Sequence, residues 1–420
     1  MRKVLPILTL VLFAVALFLP LSSPQPVASQ TATEAPTTDN DAKTDDLFNG
    51  FGARGTPIDE CVAGPVAPTA RGNGRFEDNK FIFSERETIE DGLGPTYNDV
   101  GCVECHQSVD VGAFSQAMEF RAGHITNGAF VDAPGGQLIH ARGTDSDIVE
   151  HISTAETVKA FRVTTSTIGD GFVECLANAT LENNVAAQPL AQRGTLTNVP
   201  VTEANNTLRH GRFGWKAQQA SLLSFAGDAY LNEMGITTRF FPTENAPNGN
   251  TALLAKYDKL TDPEDQIDPA TGKSDIDMAA DFMRFLAPPP TLQTTGSIAQ
   301  GAHIFDKLQC DACHVPAMLT GASPISALAQ KRVALFSDLL LHDMGALGDG
   351  IEQGAARGRE MKTAPLWGLR ARRPYLHDGR AATIPEAIRG HDGEAAAARN
   401  RFEALSSEDQ AHLVDFLNSI

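Results

Sequence analysis

Cys102-Val103-Glu104-Cys105-His106 and Cys310-Asp311-Ala312-Cys313-His314 both read C-x-x-C-H. Two thiols three residues apart can form thioethers to the two vinyl groups of one porphyrin, and the adjacent His can take its iron, which is the attachment pattern of c-type haem. From this composition, chance gives roughly 0.002 such patterns per chain, so two are not accidental. A thioredoxin-like redox pair does not require the following His. A zinc site would have to join the pairs across about 200 residues, unlike compact zinc modules. The motifs therefore predict two covalently attached c-type haems. Cys102, Cys105, Cys310 and Cys313 are the anchors, and His106 and His314 are the proximal iron ligands.

Working outward, Ser297 can cap a helix that runs through Phe305 to Leu308 and delivers the chain to Cys310. Ser406 and Asp409 resemble a capping box ahead of Leu413, Phe416, Leu417 and Ile420, spaced for one helical face. A helix before the haem motif and a helix closing the chain form the skeleton of a cytochrome c domain over 296–420. The Pro288-Pro289-Pro290 run stops the helix suggested by Ile276, Ala280, Met283 and Leu286, so 288–295 reads as a Pro-rich linker. The N-terminal haem c domain, 47–287, is larger than a minimal cytochrome c and carries insertions, placed within 107–210 where periodicity is weak. Residues 216–234 form a helix candidate with Gly235 as its stop. No strong strand alternation is visible. The expected fold is mainly α, with two cytochrome c-like domains, long loops and an enlarged N-terminal domain.

Arg2 and Lys3 precede an apolar run from Val4 to Leu21, followed by small and polar residues. This layout predicts a secretory signal peptide over 1–29; its uninterrupted core is short for a membrane span, so no span is expected after cleavage. Residues 30–46 cannot bury enough surface to offset chain entropy and read as a disordered leader. The expected location is the periplasm, where disulfides persist. The remaining cysteines, Cys61 and Cys175, are expected to pair, closing a loop worth on the order of 4–5 kcal/mol in the entropic account. The 420 residues carry 34 Lys and Arg against 52 Asp and Glu, a formal charge of −18. That balance excludes a phosphate-gripping surface and points away from nucleic acid. It suits docking with a small soluble electron donor such as a basic cytochrome c.

Several further stretches resemble the di-haem oxidoreductase family of peroxidases, relatives of bacterial di-haem cytochrome c peroxidase. They are Gly92-Leu93-Gly94-Pro95-Thr96-Tyr97-Asn98, Gly211-Arg212-Phe213-Gly214-Trp215-Lys216-Ala217, Ser337 to Gly345, Thr363-Ala364-Pro365-Leu366-Trp367-Gly368-Leu369, Tyr375-Leu376-His377-Asp378-Gly379-Arg380 and His391-Asp392-Gly393-Glu394-Ala395. The resemblance runs from about 47 to 420 and is strongest after 205. It implies two haems close enough to exchange electrons. The C-terminal haem would relay electrons to an N-terminal haem that reduces peroxide. The competing readings are a di-haem electron carrier without substrate chemistry, and an oxidase of a partner protein or organic substrate.

In the family, the segment resembling Tyr375 to Gly379 is followed by a Met that ligates the C-terminal haem. Counting forward from His377, that position is His391, fourteen residues on. The resemblance therefore implies a His314–His391 relay haem, with Met344 as the alternative ligand. A His/His pair leaves the potential lower than His/Met. His342 and His377 are expected in packing or behind the ligands. His124, His140, His151 and His210 are candidate sixth ligands of the N-terminal haem. Trp215 is the candidate for electron transfer between the haems. Arg209, Arg212 and Arg380 are candidate partners of the propionates. No carboxylate in 107–200 stands out as an acid or base.

Overall fold

The computed structural model describes residues 76–420, apart from 109, 260–262, 270, 271, 290, 293, 294, 324 and 326. The expected signal peptide, the leader and Cys61 lie outside the described residues. Cys175 is fully buried, and its pairing with Cys61 stands as a proposal.

Each C-x-x-C-H segment occupies a single helical turn. Cys102–Cys105 is a short α-helix and Cys310–Ala312 a 3₁₀ turn. Gly101 opens the first by close approach: a Cβ there would lie 2.3 Å from the Glu85 carbonyl oxygen. The second is delivered by the expected helix, Ser297–Lys307, which packs against the closing helix Ser407–Leu417. They cross at Gly301, where a Cβ would sit 2.0 Å from the His412 carbonyl oxygen. Ser406 Oγ accepts the Asp409 N–H at 3.1 Å and caps the closing helix. Phe305, Leu308, Leu413, Phe416, Leu417 and Ile420 bury together around this crossing, each worth about 1.5–3 kcal/mol if fully withdrawn from water.

The larger core gathers helices Asp275–Phe285 and Leu222–Ala229, and Phe83, Phe172 and Phe213. Met318, Leu328, Leu335 and Trp367 from the C-terminal half pack into it as well. Asp275–Phe285 starts with a Ser274/Asp277 capping box and ends before the proline run, as its pattern predicts. The helix expected over 216–234 starts later. Ser221 caps it by accepting the Ser224 N–H, so regular helix begins at Leu222. It ends in a wide π-turn, Tyr230–Met234, closed by Gly235 at φ 69°.

The expectation of a mainly α chain is wrong. Helix accounts for 36% and strand for 16%, so the fold mixes both. Strand Met118–Thr126 pairs antiparallel with Val158–Val163, Ala129–Asp132 and Leu138–Ile139. Residues 107–210, expected to carry the insertions, hold all four strands of this sheet. Its alternation is hidden because its polarity is reversed. Glu119, Arg121 and Arg162 line a cavity, while Met118 and Phe161 are exposed. A strand whose inner face is charged does not display the apolar period of a core strand. Among the described residues, no helix is long and apolar enough to cross a membrane.

Candidate functional site

The C-terminal motif opens onto a cavity of about 200 Å³ lined by Cys310, Cys313, His314, Met344, His377 and His391. His314 Nδ1 donates to the Phe336 carbonyl at 3.0 Å. His391, just past helix Ile384–Gly390, donates Nδ1 to the Ala387 carbonyl at 2.8 Å. A carbonyl can only accept, so both rings carry their proton on Nδ1 and keep Nε2 bare. Burial lowers the pKa of both, that of His314 to about 4, which holds them in the neutral, metal-ligating form. The ring centroids are 6.3 Å apart. Two imidazoles bound to one metal at roughly 2 Å each have ring centres separated by about that length. Met344 lines the same cavity, but the ring facing His314 is that of His391.

His342 has a different part. Its Nδ1 meets Glu394 at 2.6 Å and its Nε2 meets Asp338 at 2.9 Å. Burial opposes its charge, yet hydrogen bonds to Asp338, the Cys313 sulfur and Glu394 prevail and push its pKa up to about 12. It is an imidazolium with no lone pair to offer. The grouping of Cys313, Asp338 and His342 is therefore a hydrogen-bonded network rather than a metal site.

The N-terminal motif opens onto a cavity of about 340 Å³. Burial lowers the His106 pKa to about 4, with the Thr165 backbone opposing. Its Nδ1 is buried and makes no hydrogen bond of ordinary geometry. Of the four candidate sixth ligands, only His140 lines this cavity. Both its nitrogens are engaged, Nδ1 with Glu150 at 2.9 Å and Nε2 with the Asn232 carbonyl at 3.0 Å. His124 pairs with Glu156, His210 bridges Asn198 and Glu182, and His151 is exposed. The cavity instead gathers carboxyl groups: Glu119, Asp228 and Glu233. Burial first, then the charge of Glu119, raises the Glu233 pKa to about 7. Asn98 donates to this carboxyl at 2.7 Å. Arg121 grips Glu119 through two hydrogen bonds of 2.7 and 2.9 Å.

The arginines expected at the propionates are placed elsewhere. Arg209 and Arg212 donate to backbone carbonyls of Glu174, Leu176 and Ala220, and Arg380 pairs with Asp378. The Arg and Lys side chains bordering the cavities are Arg121 and Arg162 in the first, Lys362, Arg372 and Arg399 in the second. Arg162 Nη2 and His377 Nε2 are buried without a hydrogen-bond partner. Cysteine sulfurs outside any disulfide, bare imidazole nitrogens and the orphaned Arg162 Nη2 donor lining the first cavity are the complement of an iron porphyrin with its carboxylates. The residues fit the group.

The family model described as "Di-haem oxidoreductase, putative peroxidase" matches residues 144–420. The chain belongs to this family. As a di-haem oxidoreductase it is an enzyme, and haem is its cofactor. No curated protein matches the sequence. Among solved structures, the chain is similar to a MauG-like protein associated with microbial copper homeostasis, at 16% identity and a TM-score of 0.38, over 89% of this chain and 93% of that one. It is also similar to the diheme peroxidase BthA of Burkholderia thailandensis E264, at 12% identity and 0.40, over 91% and 94%. Kuenenia stuttgartiensis hydrazine synthase follows at 14% and 0.36, over 82% and 92%.

In this di-haem oxidoreductase, Trp215 borders both cavities. Its indole N–H donates to the Val163 carbonyl at 2.7 Å, and the Val163 N–H donates to the His377 carbonyl. Lys216 beside it is buried, with its ammonium on the carbonyls of Arg357 and Glu360 and on Asp349. Those contacts anchor the loop between strands Leu341–Asp343 and Glu360–Lys362, which sends Gln353 into the wall of the N-terminal cavity. Glu233 escaped the sequence reading, although a Glu beside the otherwise apolar face of 220–234 was a usable signal.

Proposed function

We propose that this di-haem oxidoreductase is a peroxidase-like enzyme with covalent c-type haems on Cys102 and Cys105 and on Cys310 and Cys313. Electrons enter at the C-terminal centre, pass by way of Trp215, and reach the N-terminal centre, where peroxide is reduced. The asymmetry of the two cavities supports this direction. In the C-terminal cavity a second imidazole, His391, faces the proximal one at 6.3 Å, an arrangement suited to relay. In the N-terminal cavity the His that lines it besides His106, His140, is spent on Glu150 and Asn232, and the wall carries ionisable carboxyls instead.

Haem would supply the redox chemistry there; the chain supplies position and protons. Glu233, poised near neutral pH, is the proposed acid/base. It takes a proton from the incoming peroxide and returns it to the departing oxygen. Arg121, fixed on Glu119, adds positive charge at the same wall. Trp215 borders both cavities, which supports its assignment as the electron path. Export to the periplasm, the Cys61–Cys175 pairing and a small basic electron donor complete the proposal.

One titration tests it. The purified holoprotein is followed by optical and EPR spectra as reductant and then peroxide are added. The expected result is one low-spin centre, and one high-spin centre in the oxidised or half-reduced state that reacts with peroxide. Two low-spin centres indifferent to peroxide would make the protein an electron carrier.

A further inference from the structure

Two features decide whether Trp215 can hold positive charge. The first is its hydrogen bond, which offers the indole no base. The indole N–H is committed to the Val163 carbonyl at 2.7 Å, and a backbone carbonyl is not basic enough to take a proton. His377, the neighbouring ring at 6.1 Å, is not the acceptor of that N–H. Removing an electron from the indole would therefore leave a cation radical, with no proton loss to relieve it.

The second is Arg372. Its guanidinium carbon lies 5.6 Å from the centre of the Trp215 ring. A neutral indole attracts a cation over its face. A positively charged indole repels it, and the repulsion is strong where water is scarce. Burial lowers the Arg372 pKa, but only to about 10, so it stays charged at neutral pH. Lys362 lines the same small space between the cavities, as does Asp170. Burial raises the Asp170 pKa to about 8 against the pull of Lys362, and lowers that of Lys362 to about 8 against the pull of Asp170, so the pair adds little net charge and Arg372 is the charge that faces the ring.

Resting on the function proposed above, we infer that Trp215 is a bridge that is not itself oxidised: Arg372 keeps the hole off an indole that has no base to relieve it, and each electron crosses in one step. Each electron leaves the C-terminal centre and reduces the N-terminal centre, and Trp215 begins and ends as neutral, closed-shell indole. Peroxide is the oxidant. Its O–O bond breaks as it gains two electrons and two protons to give two waters, and the electrons are restored by a reduced protein donor. Arg372 acts through Trp215 and is a positioning residue.

The test is rapid-freeze EPR of the holoprotein labelled with ring-deuterated Trp. It is oxidised in one arm by an equivalent of hydrogen peroxide and in the other by a flash-generated ruthenium(III) complex. The wild type is expected to show no tryptophanyl radical. Arg372→Gln should produce one, with deuterium-narrowed lines, and adding Trp215→Phe should remove it. Arg372→Lys keeps the charge and should stay silent. A radical in the wild type that disappears in Trp215→Phe would overturn the inference, and that comparison does not depend on any Arg372 variant folding. A silent Arg372→Gln that still holds both haems would overturn it too. Haems unresponsive to peroxide would instead refute the proposed function, while the ruthenium arm still decides the indole.

Discussion

His314 and His391 face each other with ring centroids 6.3 Å apart, each fixed through Nδ1 to a backbone carbonyl. The carbonyls set the tautomers and leave both Nε2 atoms bare, so the pair could hold one metal. The wild type should therefore lack the near-infrared charge-transfer band of Met ligation. His391→Met should gain that band and raise the midpoint potential of this centre, by on the order of 0.1 V or more within the roughly 0.8 V that axial ligands span. The band in the wild type would assign the position to Met344.

The single helical turns at Cys102 and Cys310 were legible because their pattern is local. The spacing of Cys102, Cys105 and His106 needs one helical turn and nothing distant. The helices at Ser297 and Ser407 were legible for the same reason, through caps and apolar spacing. The sheet was not. Glu119, Arg121 and Arg162 turn charge toward a cavity rather than apolar surface toward a core, so the strands lack the pattern that betrays strands. His391 could be placed only by resemblance. Glu233 becomes meaningful only when folding brings it beside Glu119, more than 100 residues away.

Asp349 is the buried acceptor between Arg162 at 2.7 Å and Lys216 at 3.1 Å. All three side chains are almost fully buried. Asp349→Asn removes the carboxylate that Arg162 and Lys216 share, leaving Glu119 at 4.0 Å for the one and backbone carbonyls for the other, and should cost about 3–5 kcal/mol, read as a lower urea midpoint with an unchanged slope. Burial pushes the Asp349 pKa up, but Arg162 and Lys216 prevail and hold it below the usual range. Its contribution is therefore present above the unfolded carboxyl pKa and lost as pH falls through the folded value. The acid limb of the stability curve should be shallower in Asp349→Asn.

The formal charge of −18 predicts how a donor arrives. If a basic cytochrome c is steered to this surface, its second-order rate should fall steeply with salt, because the screening length shrinks from about 10 Å at 0.1 M to about 3 Å at 1 M. An acidic donor should be slower and should gain from added salt. Stopped-flow reduction over that range decides it, and a flat profile with the basic donor would remove the steering argument.

Glu233 gives the sharpest pH signature. Burial and the neighbouring Glu119 raise its pKa to about 7, against the pull of Asn98, Arg121 and His140. A base must be ionised to accept the proton of peroxide. The rate of reaction with peroxide should therefore rise about tenfold per pH unit below 7 and level off above it. Glu233→Gln should lower that rate by about 10²–10⁴-fold and abolish the inflection. Stability should move the opposite way. A carboxyl whose folded pKa is raised binds its proton more tightly in the folded state, so its contribution declines as pH climbs from about 4.3 through the folded value. Glu233→Gln, always neutral, escapes that decline and should be the more stable protein above pH 7. A variant that was slower and also less stable at alkaline pH would mean that Glu233 is held as a structural carboxylate. The acid/base assignment would then pass to Asp228, a cavity carboxyl whose pKa is raised by burial to about 6.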